Sequence, residues 1–181
     1  MNRVKVISRW LLCLGLCTLA WPVWAAAPAI GEYAPGFRLA DQHGVSRDLQ
    51  EFRGRWLVLY FYPKDQTQGC TEQACSFRDD FVKIKLLGAE VVGISLDSRE
   101  SHAQFAQKYL LPFPLLSDPD GAVASRYGAL TNLLVLKFAR RHTFLIDPQG
   151  RIAQRYTDLD TTTYASRIVK DLTTLTRKPA P

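Results

Sequence analysis

Seven apolar or aromatic residues follow one another without a break from Trp56 to Tyr62, and Pro63 closes the run. A run of that length, rich in aromatic side chains, predicts a strand covered on both faces. Val91 to Leu96 and His142 to Ile146 read as further buried strands. Between them the period changes. Ala74, Phe77, Phe81 and Ile84 recur at spacings of three and four, which is the apolar stripe of a helix that ends near Gly88. Residues 99–110 predict a second helix, with Ala103, Ala106 and Leu110 toward the core, stopped by Pro112 and Pro114. Asp118-Pro119-Asp120-Gly121 predicts a turn into a short helix through Tyr127, and Asp147-Pro148-Gln149-Gly150 a tight turn that sends Arg151 to Tyr156 back as a hairpin. Ala165, Ile168, Leu172 and Leu175 mark a C-terminal helix. Near the start, Phe37 to Leu39 and Val45 to Leu49 flank Asp41-Gln42-His43-Gly44 as a small hairpin. Strand, helix, strand, helix, hairpin, helix is the order of an α/β sandwich with a mixed central sheet flanked by helices. The domain is placed at residues 37–177, after an Ala-, Pro- and Gly-rich leader at 26–36 and before a loose tail at 178–181.

Composition sharpens this at the N-terminus. Arg3, Lys5 and Arg9 precede an apolar run from Trp10 to Trp21, Pro22 breaks it, and small residues follow at Ala25, Ala26 and Ala27. This is the layout of a secretory signal, residues 1–25, and it predicts an exported, periplasmic protein. The alternative is a membrane tether through residues 10–21, which are short for a bilayer crossing of roughly 20 residues. The formal charge is +6, from 23 basic and 17 acidic residues. Three of those basic residues and no acid lie in residues 1–25, so the remainder carries 20 against 17, a net +3. So small an excess, densest at Lys137, Arg140 and Arg141, speaks against nucleic-acid binding.

Without the signal, four cysteines become two, Cys70 and Cys75, in a compartment that permits disulfides. On composition alone such a pair reads as a structural staple. Its placement argues otherwise. Cys70 stands at the start of the helix whose stripe begins at Ala74, beyond the carboxyl end of the first long strand, where sites of open α/β sheets gather. A thiol is a weak nucleophile until it loses its proton, and helix N-termini and nearby cations both favour the thiolate. Thr67, three residues earlier, can set a hydroxyl beside that sulfur, and Gly69 lets the backbone come close.

Pro63-x-x-x-Thr67-x-x-Cys70 resembles the active-site signature of the peroxiredoxins, and the longer run from Tyr62 to Asp79 is similar to the bacterioferritin comigratory protein (PrxQ) branch. Arg141-His142-Thr143-Phe144 resembles the family's Arg-x-Thr-Phe strand, and the likeness extends from about Gly31 to Leu175. The resemblance implies a thioredoxin-like fold and a thiol peroxidase that reduces hydrogen peroxide and organic hydroperoxides. It makes Cys70 the peroxidatic nucleophile, Cys75 the resolving cysteine, Thr67 the holder of the peroxide, Pro63 a shield against water and Arg141 the cation that keeps Cys70 ionised. It implies a hydroperoxide substrate, a thioredoxin-like dithiol reductant, a monomer, and no metal or organic cofactor. Two departures stand out: Gln68 replaces the usual proline before Gly-Cys, and Gly128 to Arg140 differs from the familiar members.

Five helical residues separate Cα atoms by roughly 8–9 Å, whereas a disulfide needs less than about 7 Å. A Cys70–Cys75 bond therefore predicts local unwinding around residues 68–78. Two other readings use the same fold: a copper-binding assembly factor with His142 as third ligand, whose cysteines would be three apart, and a disulfide reductase, which lacks its Cys-x-x-Cys here. His43, His102 and His142 read as surface or packing residues.

Overall fold

In the computed structural model, residues 27–133, 135–157 and 163–177 are described. The expected signal at 1–25 and tail at 178–181 lie outside the described residues. The strands among them are β1 (Arg38–Asp41), β2 (Ser46–Asp48), β3 (Trp56–Phe61), β4 (Ala89–Ser95), β5 (Leu115–Ser117), β6 (Leu130–Leu133), β7 (Leu136–Ala139), β8 (Thr143–Ile146) and β9 (Ile152–Tyr156). The helices are α1 (Gln68–Asp79), α2 (Phe81–Leu86), α3 (Arg99–Tyr109), α4 (Ala122–Arg126) and α5 (Tyr164–Thr176), with a 3-10 turn at Leu49–Phe52. Seven strands form one sheet in the order β2-β1-β5-β4-β3-β8-β9. β3, β4 and β5 run parallel, and β8 lies antiparallel beside β3, so the sheet is mixed as expected.

The unbroken apolar run becomes β3, next to the sheet's centre, and both of its faces are buried. Val58 and Tyr60 pack with Phe77, Phe105 and Ile168, under α1, α3 and α5. Leu57, Leu59 and Phe61 pack on the other side with Phe52, Val123 and Tyr127. Each fully buried large side chain stabilises the fold by about 1.5–3 kcal/mol, so this strand anchors two cores at once.

One glycine is required by close approach. Gly93 on β4 lies opposite Tyr60 on β3, and a Cβ there would stand 2.7 Å from the Tyr60 ring and 2.8 Å from Leu115. Backbone in a strand cannot retreat, so Gly93→Ala is expected to cost about 1–3 kcal/mol through overpacking. A urea titration measures it; an unchanged midpoint would show that the Tyr60 ring yields freely.

The structure corrects two expectations. The stripe from Ala74 to Ile84 is not one helix, because α1 ends at Asp79 and Asp80 (φ −94°, ψ 5°) separates it from α2. Leu110 does not face the core. It caps α3 in the left-handed conformation at φ 53° and is 78% exposed, while His102, Phe105 and Ala106 hold the inner face. Two elements carried no expectation: β6 and β7 pair as a hairpin outside the main sheet, and β5, just after Pro114, extends the main sheet between β1 and β4. The leader lies against the start of β9, with Gly31 and Glu32 exchanging backbone bonds with Ile152.

Candidate active site

β3 delivers the chain to a short loop, Pro63 to Thr67, and α1 begins directly after it. Thr67 occupies the N-cap position in extended conformation (φ −75°, ψ 148°) but makes no side-chain cap bond. Its hydroxyl donates instead to the Lys64 carbonyl at 3.0 Å. The helical ladder opens with the Thr71 amide donating to the Thr67 carbonyl, so the amides of Gln68, Gly69 and Cys70 precede it. Gln68 sits in the first turn and its side chain donates to Glu72 at 3.1 Å. Cys70 is the third residue of the helix. Its side chain turns inward to the cluster that contains Tyr60, Tyr62, Ala74 and Phe77, and the residue is 1% exposed.

Because β8 runs antiparallel beside β3, the two residues just before β8 come to the carboxyl end of β3, where α1 starts. The first of them is Arg141. Its Nη2 donates to Cys70 Sγ at 3.1 Å and its Nη1 to Gln73 Oε1 at 2.8 Å. A guanidinium can serve both because its donors form a rigid fork, which a lysine ammonium does not offer. Gln73, fully buried and one turn beyond Cys70, holds the arginine in place. It was not among the residues singled out from the sequence. The available signal was a polar side chain three residues after the cysteine, on the same face of the helix.

Cys75 lies on the same helix, half-buried, and both thiols are free. Burial pushes the Cys75 thiol up; Arg78 works against that shift and Asp79 adds to it. Cys75 is therefore a protonated thiol at neutral pH. With the helix intact, the roughly 8–9 Å Cα spacing of positions i and i+5 keeps the two sulfurs from bonding.

Pro63 is half-buried and lines an open groove of about 510 Å³ together with Lys64, Leu96 and Asp97. Leu136, Lys137 and Phe138 of β7 form its far wall, so the divergent hairpin rims the loop that carries the candidate site. His43 is exposed, His142 half-buried and His102 fully buried. Among the described residues no group of three or more His, Cys, Asp or Glu side chains is placed to hold a metal ion.

Residues 30–155 match the AhpC/TSA family. Peroxiredoxin Q, chloroplastic, of Sedum lineare is 49% identical over 120 residues, which cover 66% of this chain and 64% of that protein. The chain thus spans less than two thirds of that relative's length. Among solved structures, peroxidoxin BcpB from Mycobacterium tuberculosis is 32% identical with a TM-score of 0.77, covering 82% of this chain and 98% of the other. Peroxiredoxin Q of Xanthomonas campestris is 30% identical with a TM-score of 0.74, covering 78% and 92%. The fold is the thioredoxin fold these neighbours share. With that match over most of its length, and with the signature cysteine seated against an arginine brought in just ahead of β8, the chain belongs to the AhpC/TSA family, in its peroxiredoxin Q and bcp branch.

Proposed function

We propose that this protein is a thiol-dependent peroxidase that reduces hydrogen peroxide and organic hydroperoxides at Cys70. The observation that carries the reading is the 3.1 Å hydrogen bond from Arg141 to Cys70 Sγ at the amino end of α1. Two sources of positive potential, the guanidinium and the first-turn amides, converge on one sulfur and stabilise negative charge there. In the first step the Cys70 thiolate attacks the terminal peroxide oxygen. The S–O bond forms as the O–O bond breaks, and the leaving oxygen departs as water or alcohol once protonated. Arg141 stabilises the charge that develops on the oxygens. The Thr67 hydroxyl, whose proton is given to Lys64, offers its lone pairs to the incoming hydroperoxide proton. Pro63 limits entry of water.

Cys70 is left as a sulfenic acid, the reversible first stage of thiol oxidation. Cys75 then condenses with it to a disulfide and releases water. The first turns of α1 unwind to bring the sulfurs together. A thioredoxin-like dithiol protein reduces the disulfide by exchange and is itself oxidised. Export by a signal at residues 1–25, followed by action of the monomeric mature chain in the periplasm, completes the reading.

The Cys75→Ser variant tests the resolving step. It is expected to consume one equivalent of peroxide per chain at the wild-type rate and then to stop turning over with a protein dithiol. Sustained turnover at the wild-type rate would remove Cys75 from the cycle. Hydrogen exchange gives a second view: the amides of 68–78 are expected to lose protection in the oxidised protein, and equal protection in both redox states would contradict the unwinding.

A further inference from the structure

A buried polar network lies behind the Cys70 loop, and the chemistry described so far does not use it. Asp65, in the middle of the Pro63 to Thr67 loop, is 5% exposed, and His102 on α3 is fully buried. One Asp65 oxygen accepts from the Tyr62 hydroxyl at 2.7 Å. The other accepts from the Ser101 hydroxyl at 2.8 Å and faces His102 Nδ1 at 2.8 Å. The Asp65 amide donates to the Asp97 carboxylate at 2.9 Å. On its far side, His102 Nε2 faces the Leu116 carbonyl of β5 at 3.2 Å. The next loop residue, Gln66, is held at φ 59°, a left-handed conformation that a side-chain-bearing residue adopts only at a cost.

Both ring nitrogens of the buried imidazole have polar partners: Nδ1 faces the Asp65 carboxylate and, at 3.3 Å, the Tyr62 hydroxyl, and Nε2 faces the Leu116 carbonyl. Asp65 and His102 thus tie the loop, α3 and β5 into one network in which every buried polar group is partnered. Burial pushes the Tyr62 phenol up, so it remains a donor. The Asp97 carboxylate also faces the loop, accepting from the Asp65 amide. We propose that the buried Asp65–His102 pair is the positioning device of the Cys70 loop, clamping it to α3 and β5 and setting how readily the first turn of α1 unwinds. Asp65 and His102 are positioning residues, since neither touches the reacting sulfur. For its kinetic consequence the inference rests on the peroxidase reading; for the clamp itself it does not.

The test compares His102→Ala and Asp65→Asn with wild type in the full chain. In the reduced protein, His102→Ala is expected to lower exchange protection at residues 64–70 by about ten- to a hundredfold, the range for one buried charge-assisted hydrogen bond, while β3 and β4 keep theirs. Asp65→Asn keeps the shape and still offers an amide to Tyr62, Ser101 and His102, so protection is expected to survive. In stopped flow, His102→Ala is expected to react more slowly with peroxide but to form the disulfide faster, since the unwound state is more populated. A uniform loss of protection over the domain, or unchanged protection at residues 64–70 in His102→Ala, would overturn the proposal. Failure of wild type to consume peroxide, with the protection pattern as described, would overturn the peroxidase reading and leave the clamp standing.

Discussion

The Cys70→Ser chain is expected to consume no hydroperoxide above background, a fall of at least about a thousandfold, as removal of a covalent nucleophile does elsewhere. The expectation follows from where the two thiols sit. Cys70 has a guanidinium donor at 3.1 Å and stands in the first turn of α1, whereas Cys75 is raised by burial and carries Asp79 nearby. Cys75 therefore cannot substitute as the attacking sulfur. The change itself is small, since a serine side chain fits the same space and still accepts from Arg141. A correctly folded, inactive protein is the result that isolates chemistry from stability. Residual turnover above a tenth of wild type would place the nucleophile elsewhere.

Arg141→Met carries the second large effect. Removing the fork leaves the buried sulfur and the buried Gln73 amide without their shared donor, and the transition state loses a charge-assisted bond. Loss of one such preorganised donor costs about 10²–10³ in rate. Arg141→Lys is expected to recover only part of this, because one ammonium cannot reach Sγ and Gln73 Oε1 with the same geometry. Second-order rates with hydrogen peroxide, measured for the three chains under reducing conditions, give the comparison. Equal rates in wild type and Arg141→Met would reduce the arginine to a structural role.

The legible parts of this fold were those in which periodicity and burial coincide. β3, β8 and α5 stand where their apolar patterns put them, because strands buried on both faces read as continuous runs and α5 shows one clean stripe. β5 was invisible, since three residues after Pro112 and Pro114 carry too little pattern and pair only once β4 and β1 are in place. The β6–β7 hairpin lies off the main sheet with mostly exposed or half-buried faces, so its residues show no alternation to read. Leu110 misled because apolar spacing continued one residue past the point where the backbone leaves the helix. At the site, motif residues were legible and their supports were not. Gln73, Asp65 and His102 are polar side chains whose partners lie up to 68 residues away in sequence. Such contacts exist only after the sheet has assembled, and no local pattern announces them.

Trapping the first oxidised sulfur tests the central assignment most directly. Cys75→Ser protein is treated with one equivalent of hydrogen peroxide in the presence of a sulfenic-acid-specific dione, and the adduct is located by peptide mass spectrometry. One adduct per chain on Cys70, formed far faster than on a free cysteine under the same conditions, is the expected result. An unmodified Cys70, or an adduct that forms no faster than on free cysteine, would contradict it.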